Sequence, residues 1–91
     1  MSNYSLFPPE EFFELVLKHC PQAGFVYKEL WRYFFQSDDN LLQKKDVRPI
    51  FGMAPTAFRN KLLLLKRESL LEYKENSLSY KIYLTTSEED Q

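Results

Sequence analysis

Apolar and polar positions along this chain change period several times, and each change predicts an element. Between residues 55 and 68, Phe58, Leu62 and Leu65 fall at i, i+4 and i+7, the spacing that gathers side chains on one buried face of a helix. Arg59 and Asn60 point away from that face. Beyond Ser69 the period drops to two. Leu71 and Tyr73 alternate, Glu75, Asn76 and Ser77 supply turn chemistry, and Leu78, Tyr80, Ile82 and Leu84 alternate on the return, so a hairpin with one inward face is predicted. Ahead of the long helix, Val47, Ile50 and Phe51 predict a short helix with buried contacts, Asp46 as its N-cap and Pro49 in its first turn. Gly52 supplies the positive φ of a sharp interhelical turn, and Pro55 is pre-set for the start of the next helix.

The N-terminal half reads as helical. Pro8 and Pro9 followed by Glu10 and Glu11 suit the first turn of a helix over residues 8–20, which runs through Phe12, Phe13, Leu15, Val16 and Leu17 and stops before Pro21. Its apolar positions cover more than one stripe, so apolar surface is expected to remain for a partner chain. Ala23 and Gly24 open a second helix with Val26, Leu30, Tyr33 and Phe34 on one side and Tyr27 and Trp31 on a neighbouring one. A polar loop over residues 36–40 follows, and Leu41 with Leu42 predicts a brief extended segment that pairs with the hairpin. Residues 1–7 read as a flexible arm, 8–86 as a single domain and 87–91 as a disordered acidic tail.

Length and composition bound the function. Ninety-one residues make one small domain, and 44% hydrophobic content with 16% aromatics is too high for a disordered chain. No apolar run approaches the roughly 18 residues of a membrane span, and the first residues lack the basic and apolar regions of a signal peptide, so a cytoplasmic protein is expected. The single cysteine, Cys20, has no internal disulfide partner.

The net charge of −1 conceals a division. Residues 1–40 carry three basic and six acidic side chains, a balance of −3, whereas residues 41–86 carry nine basic and four acidic ones, a balance of +5. Phosphate contacts act over about a Debye length, roughly 8 Å at physiological salt, so the local sign outweighs the total. A solvated surface of mixed charge is the bland alternative.

From about Phe25 to Leu84 the chain resembles a winged helix-turn-helix domain. The resemblance rests on the short helix, the Gly52 turn, the apolar Phe58, Leu62 and Leu65 positions, Ser69-Leu70-Leu71 where such domains commonly have glycine and two apolar residues, and the hairpin. It implies an α+β fold with a three-helix core and a C-terminal β-hairpin wing, here with an extra N-terminal helix. Three departures stand out. Arg48 occupies a place where a small residue commonly packs between helices, which rotates the short helix or presents the arginine to phosphate. Pro49 shortens that helix from its front. Leu63 and Leu64 replace positions that are usually polar, which implies burial against the N-terminal helix or a second subunit.

The resemblance implies duplex DNA as partner, bound sequence-specifically by a homodimer. Thr56, Arg59 and Asn60 are the expected base-reading residues, since arginine pairs bidentately with guanine and asparagine with adenine. Lys44, Lys45, Arg48 and Lys61 are expected at phosphates. Lys74 and Lys81 flank the wing turn, with Asn76 at its tip either touching DNA or simply forming the turn. Phe12, Phe13, Leu63 and Leu64 are the dimer-interface candidates. With no catalytic or effector domain, the protein would act by occupying a site, as a transcriptional repressor or as a replication or transfer accessory factor of a phage, plasmid or microbial genome, associated with the nucleoid in a microbe. The alternative is a winged-helix adaptor that binds protein through its aromatic, acidic N-terminal half.

Other chemistries have little support. His19 and Cys20 are adjacent, and neighbours in sequence do not face each other on a helix, so no metal pair or dyad is implied. Glu10, Glu11 and Glu14 suit a helix N-terminus better than acid–base catalysis. A phosphate loop and a nucleophile elbow are both missing, so no enzyme, no cofactor and no small-molecule ligand is expected. Fifteen aromatic residues suggest a stacking platform for single strands, but most occupy positions that the core needs.

Overall fold

The computed structural model describes residues 7–37 and 39–85. The fold is α+β, with four α-helices and a three-stranded antiparallel sheet among those residues. Two compact units divide the chain, Met1–Asn40 and Leu41–Gln91. Residues 1–6 of the expected arm and the expected acidic tail lie outside the described residues.

The first unit is a pair of helices, α1 (Glu10–His19) and α2 (Gly24–Phe35). Pro9, extended at the N-cap of α1, has no side chain to cap with, but its carbonyl accepts from the Phe12 amide at 3.0 Å. Glu10 and Glu11 in the first turn and Lys18 and His19 in the last complement the helix dipole. A tight turn follows, in which the Cys20 carbonyl accepts from Ala23 and Gly24. The helices then run back along one another, because Leu17 meets Gly24, Phe13 meets Tyr27 and Glu10 meets Lys28. Gly24 is required here by space: a Cβ would lie 2.8 Å from the Leu17 Cα. Phe13, Val16, Val26, Tyr27, Leu30, Trp31 and Phe34 are buried. Phe7 was expected in the flexible arm, but its ring stacks edge-on against Trp31 and Phe35 and at a tilt against Phe13. Apolar area gained against three rings outweighs the freedom of a chain end.

The second unit begins with β1 (Leu41–Gln43), passes through a 3-10 turn at Lys44–Asp46 into α3 (Val47–Phe51), and continues through α4 (Pro55–Arg67) to β2 (Leu71–Glu75) and β3 (Ser79–Leu84). The strand order is β1-β3-β2, both neighbours antiparallel to β3. The brief extended segment at Leu41 and Leu42 is therefore a strand, with Leu42 opposite Tyr80. Leu71 opposite Leu84 and Tyr73 opposite Ile82 make the inward face, together with Tyr80. Phe58, Leu62 and Leu65 of α4 are fully buried, as their spacing predicts, and the Phe58 ring lies 4.9 Å from Phe51 and 5.5 Å from Tyr80.

Helix ends in this unit follow backbone needs. Gly52 closes α3 at φ 71°, with its amide bonded to the Arg48 carbonyl. Ser69 holds the left-handed position after α4 at φ 63°, its amide donating to Lys66 while Leu70 donates to Leu65. That pair of bonds is a Schellman motif, so serine fills the place usually held by glycine. Thr85 then ties the end of β3 to this turn through bonds to Leu70 and Ser69.

Three local expectations change. Asp46 stands at the N-cap position of α3 without a side-chain cap bond, because the preceding 3-10 turn leads the backbone into the helix already in helical geometry. Ile50 is 39% exposed, since a five-residue helix buries one i, i+4 pair, Val47 and Phe51. Leu78 is 74% exposed and belongs to the hairpin turn. Closure of that turn by Asn76 N donating to Ser79 O, with Lys44 N donating to Leu78 O, takes Leu78 out of the strand before its alternation can act.

Candidate nucleic-acid interface

Helix α4 is the centre of the candidate surface. Its thirteen residues include four basic side chains and no acidic one. At 100° per residue, the buried Phe58, Leu62 and Leu65 define one stripe, and the opposite row is Thr56, Asn60, Leu63 and Arg67. All four are exposed. Thr56 and Asn60 thus face outward, as helix geometry predicts, and Arg67 shares their row. The sequence signal for Arg67 was present in its spacing of seven from Asn60.

Arg59 takes another course. It sits on the edge of α4 that faces β2, and its guanidinium pairs side-on with Glu75: Nε donates to Oε1 at 3.1 Å and Nη2 to Oε2 at 2.7 Å. Lys44 Nζ donates to the same Oε2 at 2.7 Å and lies 5.4 Å from the centre of the Tyr80 ring. Lys44, Arg59 and Glu75 therefore converge from the 3-10 turn, α4 and β2. The buried Tyr80 hydroxyl lies beside this cluster without a well-formed hydrogen bond. Hydrogen bonds from Arg59 and then Lys44 hold the Glu75 carboxyl below its ordinary value, and the Glu75 bond raises that of Arg59. Burial pushes the Tyr73 phenol up, and the Glu75 charge adds to the rise. Two turns further along the same edge, Lys66 Nζ lies 3.9 Å from Glu72 and 5.6 Å from the Tyr73 ring centre. Strand parity, two residues on from Tyr73, puts Glu75 on the Tyr80 side of the sheet at its exposed edge, a placement that turn chemistry alone does not predict.

The remaining expected residues separate clearly. Lys45 and Arg48 are exposed and Lys61 half-buried, and none forms an ion pair among the described residues. Arg48 does not pack between helices. Lys44, expected at a phosphate, is already held by Glu75. Lys74 and Lys81 face each other across β2 and β3 on the outward side of the sheet. Asn76 is engaged in its own turn, with Nδ2 3.4 Å from Ser79 Oγ.

Of the dimer candidates, Phe13 is 5% exposed and stacked among Phe7, Phe12 and Tyr27, so the first unit uses it internally. Phe12 and Leu64 are half-buried, and Leu63 is 47% exposed. The first unit also has a shallow groove of about 140 Å³ lined by Glu10, Phe13, Glu14, Leu17, Phe25 and Lys28 over Gly24, with Phe25 60% exposed. Among the described residues, no group of three or more histidine, cysteine or acidic side chains could hold a metal ion, and no helix is long and apolar enough to cross a membrane. No family model matches the chain, and no curated protein or solved structure matches it.

Proposed function

We propose that residues 25–84 are a winged helix that binds duplex DNA through its second-unit elements, with α4 in the major groove and the β2–β3 hairpin as its wing. One observation carries this reading: α4 has no acidic residue, and two of its four basic side chains, Lys61 and Arg67, have no carboxylate partner among the described residues. Thr56 and Asn60 read base edges, and Arg59 reads from the edge nearest the wing. Lys45, Arg48, Lys61 and Arg67 hold phosphates, and Lys74 and Lys81 follow the backbone beside the wing. Leu63 lies between Asn60 and Arg67 in the outward row, so it meets the groove, where a thymine methyl suits it. One row cannot serve DNA and a subunit contact together. A homodimer then forms through apolar side chains elsewhere, and Leu15, Leu17 and Phe25 of the first unit are exposed for it. The protein acts by site occupancy, as a repressor or an accessory factor at an origin or transfer site.

A second reading has its own observation. The apolar groove at Leu17 and Phe25, rimmed by Glu10 and Glu14, suits a protein adaptor. Selection of bound sequences from a random duplex pool at near-physiological salt separates the two. An enriched inverted repeat with half-sites about 10 base pairs apart supports the dimeric DNA binder. No enriched motif, with binding that vanishes at moderate salt, supports the adaptor.

A further inference from the structure

Arg59 has five N–H donors and spends two on Glu75. Side-on pairing through Nε and Nη2 leaves both Nη1 hydrogens and the second Nη2 hydrogen. One hydrogen from each Nη nitrogen forms the outer end of the guanidinium plane, the fork that fits O6 and N7 of guanine. The Arg59 side chain is 47% exposed, which keeps the free end accessible. Glu75 is itself held: Lys44 binds its Oε2, and its backbone is fixed opposite Tyr80 in the sheet. A long arginine on an isolated helix samples many rotamers, whereas this one is fastened to a neighbouring strand before any ligand arrives.

Resting on the DNA-binding reading above, we infer that Glu75 is a positioning residue that fixes the guanidinium of Arg59 so that its free fork reads a guanine. Lys44 anchors Glu75 and is not a phosphate ligand. The carboxylate has a second effect through its charge. Near the phosphates it opposes binding to any sequence, so it lowers non-specific affinity while raising discrimination.

The test uses the full chain, a duplex recovered by selection and a second duplex with the guanine replaced. Affinities are measured for the wild type, Glu75→Gln, Arg59→Ala and the double variant, with thermal melting to confirm folding; the exposed Glu75→Gln change preserves side-chain size. Glu75→Gln should tighten binding to unrelated duplex a few-fold and reduce the ratio between the two duplexes by about tenfold. In the Arg59→Ala background the same change should leave the ratio unaltered, because Glu75 acts through Arg59. An unchanged ratio in Glu75→Gln, or an equal fall in both backgrounds, would overturn the role of Glu75 while leaving DNA binding intact. Failure of the wild type to bind any duplex would overturn the DNA-binding reading, and this role with it.

Discussion

In the first unit Lys28 is drawn onto Glu10 at 2.9 Å and over the Phe13 ring, and Arg32 lies 3.8 Å from Glu29, while Glu11 and Glu14 stay exposed. In the second unit the roles reverse, with Glu75 held by Arg59 and Lys44, and Glu72 near Lys66, while Lys45, Arg48, Arg67, Lys74 and Lys81 stay exposed. Each unit engages part of its scarcer charge in contacts. The surface left over is therefore more uniform in sign than the composition of either segment suggests, and the total of −1 conceals both. Exposed ion pairs of this kind add little stability on their own. Their consequence lies in which charges they leave free.

The largest expected effects break the packing beneath each charged surface. Leu62→Ala removes a fully buried side chain from the α4 stripe and should cost about 2–5 kcal/mol, measured by urea denaturation. A cost below 1 kcal/mol would mean that this stripe is not the core of its unit. Gly24→Ala places a methyl group 2.8 Å from the Leu17 backbone and should cost about 1–3 kcal/mol. An unchanged melting temperature would show that α1 and α2 approach less closely than described.

Smaller effects sharpen the charge comparison. Combining Lys61→Ala with Arg67→Ala should weaken duplex binding about tenfold and reduce the salt slope by nearly two, as loss of two phosphate contacts requires. Lys61→Ala alone should weaken specific and non-specific binding alike. Lys18→Ala, in the acidic unit, should alter neither. Equal losses from the two units would erase the distinction between them.

The smallest effect concerns pH. Because Arg59 and Lys44 depress the Glu75 carboxyl, its contribution is present above the ordinary carboxylate range, near pH 4.3. It is lost as pH falls through the lowered value. Glu75→Gln should lower stability slightly at neutral pH, flatten the acid limb of the stability profile and leave the acid end unchanged. An acid limb identical to that of the wild type would show that the carboxylate is not held in solution.

Most elements were legible because their causes are local. The α4 stripe follows from three residues at helical spacing, the α3–α4 turn from Gly52, and the end of α2 from the polar residues after Phe35. Leu78 and Ile50 were misplaced because period counts assume regular backbone up to the last residue, whereas a three-residue turn and a five-residue helix end sooner. Phe7 was misplaced because proximity to a chain terminus says nothing about rings brought from residues 13, 31 and 35. The candidate site was half legible. Thr56 and Asn60 follow from helix geometry, but the capture of Arg59 by Glu75 spans sixteen residues and depends on strand register, which no local pattern reveals.

The most direct test is amide chemical-shift mapping of the labelled protein titrated with duplex DNA at near-physiological salt. The account expects changes concentrated in residues 44–48, 56–67 and 74–81, with residues 10–35 little affected. No change with any duplex, or changes confined to the groove around Leu17 and Phe25, would contradict it.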